Sequence, residues 1–107
     1  MTSESALIMS AAPLTPEELQ DLANRLMLEF DQRFEAADLD LAIGRTRGPL
    51  SIGIGLEING EWDSFVAARR HLFRGGWTLL LDLQGLEETV RAYLEAQLRM
   101  HADRRRP

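Results

Sequence analysis

The chain contains no cysteine and no lysine, and no apolar run in it reaches the eighteen or so residues of a spanning helix. Without cysteine there is no disulfide framework, no thiolate nucleophile and no cysteine zinc site, so the core must hold through packing alone. Without lysine there is no Walker A phosphate loop of the usual kind, no Schiff base and no pyridoxal anchor. The amino terminus, "MTSESALIMSAAP", carries a glutamate where a signal peptide wants positive charge, and its apolar stretch Ala6 to Met9 is short. A cytoplasmic protein with no membrane partner is the expectation.

Against these absences stand 107 residues, 45% of them hydrophobic, and 17 acidic against 12 basic residues for a net charge of −5. That length fits one domain with one core. Its acidity argues against a surface that is wholly a nucleic-acid footprint, leaving local basic patches. We expect a flexible N-terminal arm at 1–13, a single domain at 14–103 and a basic tail at 104–107.

The first helix is the best-marked element. In "LTPEEL" Thr15 is placed as N-cap, Pro16 at the first helical position and Glu18 three residues on to complete a capping box, with Leu14 and Leu19 as a hydrophobic staple. Leu19, Leu22, Ala23, Leu26, Met27, Phe30 and Phe34 then form one apolar stripe. From Leu39 the period becomes two. Leu39, Leu41 and Ile43 alternate with Asp40, Ala42 and Gly44, "TRGP" supplies a turn, and "LSIGIGLEI" alternates again, so a hairpin with Ile43 facing Ile52 follows. Asn59-Gly60 marks a second turn, leading to a short strand at Glu61 and Trp62.

Extending that strand would place Asp63 among aliphatic side chains, so a second helix is expected from Asp63 or Ser64 to Arg74, ended by Gly75-Gly76. "WTLLLDL", residues 77 to 83, reads as a buried strand, with helix the alternative that periodicity leaves open. A last helix starts after Gly85, with Leu86, Val90, Leu94 and Leu98 on its stripe. The fold expected is a small α+β domain, an antiparallel sheet of three to four strands with helices packed on it, in the order α-β-β-(short β)-α-β-α. Element order and acidity resemble those of small secretion-chaperone-like α+β proteins; no motif carries that resemblance and no function is taken from it.

Two features could carry function. Gly53 and Gly55 lie on one face of a strand, where glycine costs backbone entropy unless something approaches closely, and Trp62 falls diagonal to Gly55 in the expected register. The second is basic: Arg69, Arg70, His71 and Arg74 on the expected second helix, with Arg45 and Arg47 near the hairpin tip. Arginine forks bind two oxygens at once, so Arg45, Arg47, Arg70 and Arg74 are candidate contacts for an anion or an acidic partner. Neither histidine sits in a metal-binding spacing, Ser51 has no nucleophile elbow, and the paired glutamates fit helix N-termini. No catalytic, cofactor or metal site is therefore assigned. The leading expectation is a small non-catalytic protein-binding domain, adaptor, chaperone-like or inhibitor-like, with a homodimer left open; the runner-up is a nucleic-acid-associated protein using the arginines.

The capping box makes the first prediction: Thr15→Ala should cost about 1 kcal/mol of stability, read as a lowered denaturation midpoint.

Overall fold

The computed structural model describes residues 8–9, 11–46 and 48–105, with the side chains of residues 8, 9 and 103–105 outside that description. Its elements in chain order are β1 (Ile8–Met9), α1 (Pro16–Ala36), β2 (Leu41–Arg45), β3 (Ser51–Ile58), β4 (Glu61–Arg70), β5 (Trp77–Leu79) and α2 (Leu83–Arg105). The fold is α+β, an antiparallel sheet in the order β1-β5-β4-β3-β2. Residues 8–9 of the expected arm pair with β5, and α2 continues through Arg104 and Arg105 of the expected tail.

Helix α1 begins as its sequence requires. Thr15 Oγ1 accepts from the Glu18 N–H at 3.1 Å, and Glu18 Oε1 accepts from the Thr15 N–H at 2.9 Å. Leu19, Leu22, Ala23, Leu26, Phe30 and Phe34 are buried, with the Phe30 and Phe34 rings edge to face at 6.2 Å. They meet Ile54, Leu56 and Ile58 of β3 and Leu86, Val90 and Leu94 of α2 in one apolar cluster. Both helices therefore cover the same face of the sheet.

The β2–β3 hairpin is slid four residues from the expected register, so that Ile43 faces Leu56 and not Ile52. An even shift keeps every side chain on its expected face. The cause is a latch at the far end: the Asp40 N–H donates to Asn59 Oδ1 at 2.9 Å, and the Asn59 N–H donates to the Asp40 carbonyl at 3.0 Å. Asn59 and Gly60 make the β3–β4 turn with φ of 51° and 86°, the left-handed pair that a two-residue hairpin needs.

The larger correction is β4. Residues 63–70, expected as helix, continue the strand, and Asp63 pairs with Leu56 as the simple alternation dictates. Asp63 is tolerated on that side because it sits at the strand's exposed start and accepts a hydrogen bond from the Tyr93 hydroxyl of α2. Further along, the ladder slips: Ile52 faces Ala68 while Gly53 faces Val66, leaving Ala67 as the extra residue of a β-bulge. The carbonyl of Ala67 accepts two N–H groups, from Leu80 at 2.8 Å and Leu81 at 3.0 Å. Those bonds end β5 at Leu79, short of the expected 77–83, and turn the chain into α2. Asp82 caps α2, its Oδ1 accepting from the Gly85 N–H at 2.8 Å, so the helix starts one turn before Leu86.

A ladder of ion pairs sets the two helices side by side. Arg25 bonds Glu87 at 3.1 Å, Arg91 bonds Glu29 at 2.8 Å, and Arg33 grips both oxygens of Glu95 at 2.8 Å. All three pairs are 62 residues apart, so α1 and α2 run parallel. Hydrogen bonds from Arg91 to Glu29 and from Arg33 to Glu95 hold those carboxyls below the usual range. Burial alone would raise Glu87; bonds from Arg91 and Arg25 more than offset it, and Glu87 too is lowered. Exposed pairs of this kind contribute little stability, so their main effect is on alignment.

Gly53 and Gly55 have different reasons. A Cβ on Gly53 would collide with the backbone carbonyl of Phe65 at the bulge, whereas one on Gly55 would meet the six-membered ring of Trp62. The first obstacle is main chain and the second a side chain that is 57% exposed. Gly53→Val should therefore lower stability by about 1–3 kcal/mol or more, and Gly55→Val by clearly less, because the indole can swing away. Equal melting temperatures for the two variants would contradict this ordering.

Candidate functional site

The bulge also decides where the arginines go. Beyond it Arg69 pairs with Ser51 and Thr78, and Arg70 with Trp77, so neighbouring arginines point to opposite faces of the strand and do not line a helix. The chain then turns back within six residues. The His71 N–H donates to the Gly76 carbonyl at 2.9 Å, the Gly75 N–H donates to the His71 carbonyl at 3.1 Å, and His71 Nε2 is hydrogen-bonded to Thr78 Oγ1. Gly75 and Gly76, at φ of 72° and 81°, close the turn in a conformation that residues with side chains avoid. What reads as a helix C-cap in the sequence is the return of a hairpin. His71 is a brace of this turn.

At the apex stand Leu72 and Phe73, 66% and 96% exposed. Arg70 precedes them, Arg74 follows, and Arg69 lies one residue further back, all exposed. Leu50, also exposed, belongs to the adjacent turn, whose carbonyl accepts from the Arg70 N–H at 2.8 Å. Among the described residues, none of Arg69, Arg70 and Arg74 makes an ion pair, while Arg25, Arg33 and Arg91 on the helices all do. The result is an exposed turn, apolar at its summit and cationic around it.

Arg45 does not join this tip. It faces Ile54 on the edge strand, about 10 Å along the strands and about 10 Å across them from Arg69. Arg47 lies outside the described residues. The helix expected to carry both Arg70 and Arg74 is likewise replaced by a strand end and a turn. Leu72 and Phe73 were missed because "FVAARRHLF" carries enough apolar residues for a helical stripe; the signal that reveals them is Gly75-Gly76 read as a hairpin turn.

A second cluster lies at the opposite end of the sheet, where a cavity of about 330 Å³ is lined by Glu61, Asp63, Tyr93, Gln97 and His101 among others. Burial and the hydrogen bond to Asp63 push Tyr93 up to about 12. A phenol so held donates a hydrogen bond and does not take up a proton or attack as phenolate near neutrality. Its ring also packs edge to face on Phe65 at 5.2 Å, which makes it a pin between α2 and β4. No group of three or more metal-ligating side chains occurs among the described residues.

Comparison with protein-family models, with curated proteins and with solved structures returns no match for this chain. Among the described residues no helix is long and apolar enough to cross a membrane.

Tyr93 is the chain's single tyrosine, so phenolate absorbance reads it alone. It should titrate at about 12, and Asp63→Asn should bring it down toward 10 without reaching it, because burial remains. Its folded-state value lies above the unfolded one of about 10. The stability it contributes is therefore complete below pH 10 and lost as pH rises through 12. An unchanged titration in Asp63→Asn would reject the pin.

Proposed function

We propose that this chain is a small non-catalytic protein-binding domain of the cytoplasm, and that the β4–β5 tip takes an acidic segment of a partner protein carrying apolar side chains. The observation that supports this reading is the fully exposed Phe73 beside Leu72, set between arginines that have no carboxylate partner among the described residues. Exposed apolar groups with a cationic rim suit a partner that covers the ring and supplies carboxylates to the guanidinium forks. Because His71 and the two glycines brace the turn, little ordering entropy is spent there on binding. Adaptor, chaperone-like and inhibitor-like roles all use such a surface.

The same Phe73 favours one second reading. An exposed ring flanked by arginines also stacks bases of a single-stranded nucleic acid.

Fluorescence anisotropy with two probes separates the two: a labelled peptide alternating glutamate with leucine and phenylalanine, and a labelled single-stranded oligonucleotide. The protein-binding reading expects peptide binding that weakens about tenfold in Phe73→Ala and in Arg70→Ala with Arg74→Ala, with unchanged melting temperature. Binding to the oligonucleotide alone, falling steeply with salt, would establish the second reading. Peptide affinity indifferent to all three substitutions would reject the tip.

A further inference from the structure

The sheet ends on a strand built to be paired. The Thr46 N–H donates to the Gly53 carbonyl and the Asn59 N–H to the Asp40 carbonyl, which puts the even-numbered residues of β2 in register to bond inward. The N–H and C=O groups of Leu41, Ile43 and Arg45 consequently point out of the sheet. Natural edges are usually blunted by charge, proline or a bulge. Leu41, Ala42, Ile43 and Gly44 carry none of these, and the register from Leu41 to Arg45 is unbroken. A groove of about 720 Å³ follows this edge, lined by residues 42 to 46, by Gln20 from the helix side and by Trp62 from the open face.

Two side chains bordering β2 say what fits there. Thr46 Oγ1 is buried and has no hydrogen-bond partner among the described residues, although it lines the groove. Asp40, just before β2, is exposed and holds its neighbours through its backbone, and Arg45 makes no ion pair among the described residues. We infer that β2 pairs antiparallel with β2 of a second copy of this chain, about a two-fold axis at Ile43, to give a continuous two-protomer sheet. In that register residue 46 of each copy faces residue 40 of the other on the same side of the sheet, so the Thr46 hydroxyl donates to the Asp40 carboxylate. Arg45 comes to lie opposite Leu41 on the other, helix-covered face of the sheet. About six main-chain hydrogen bonds cross the seam. A parallel arrangement would instead set Arg45 beside Arg45, and one residue of slip would turn the outward groups away from each other. Both helices of each copy stay on one common face, and the β4–β5 tips stay outside the seam, so the inference is independent of the function proposed for them.

Sedimentation equilibrium of the full chain over a concentration series tests it. The native chain should reach twice the chain mass. Arg45→Pro removes an outward N–H and no bond of the native ladder, and should return the chain to monomer with its circular dichroism unchanged. Thr46→Val and Asp40→Ala should each weaken association by about tenfold or more, and the double variant should lose little more than either alone, because the two groups bond each other across the seam. A native chain that stays monomeric throughout would overturn the inference, as would a dimer indifferent to Arg45→Pro. Losses from Thr46→Val and Asp40→Ala that add in full in the double variant would overturn the antiparallel register.

Discussion

The carbonyl of Phe65 lies so near the α-carbon of Gly53 that no side chain fits between them, and the extra residue inserted there, Ala67, decides what the rest of the chain can do. A bulge frees polar groups that the ladder would otherwise use. Here the freed carbonyl captures Leu80 and Leu81, which stops β5 and aims the chain at the start of α2. The same insertion re-phases β4, which decides the face of the strand end that each of Arg69 and Arg70 takes before the turn. Core closure and the cationic tip thus descend from one backbone contact.

Much of the α1 side was legible because its signals are local. Thr15, Pro16 and Glu18 specify a helix start without reference to anything distant, and the stripe from Leu19 to Phe34 predicts the buried face that the fold uses. The alternation in β3 was equally plain, and Trp62 lies over Gly55 although the hairpin register differs from the one expected. Even a four-residue slide leaves facing intact, which is why faces were easier to read than partners.

What was not legible depends on contacts between distant residues. Asp63 argues against a strand only until Tyr93, thirty residues on, supplies its hydrogen bond. The bulge at Ala67 breaks the period of two in the middle of "FVAARR", and the interrupted pattern passes for a helical one. Such a helical stripe would bury Leu72 and Phe73, which the turn exposes. The β2 register hides for the same reason, since the latch between Asp40 and Asn59 spans nineteen residues. Arg25, Glu29 and Arg33 of α1 and Glu87, Arg91 and Glu95 of α2 form two four-residue charge repeats of opposite phase, and the structure sets them face to face.

Those opposed repeats behave as a parity check. If α2 slid along α1 by one helical turn, arginine would meet arginine and glutamate would meet glutamate at the remaining positions, and every attraction would become a repulsion. Only a slide of two turns restores opposite signs, and that leaves a single pair of the original three in contact. Leu86, Val90 and Leu94 recur every four residues and, being alike, could accept a one-turn error with little loss of burial. The hydrophobic stripe holds the helix down but reads the same at each step; the salt bridges tell one step from the next.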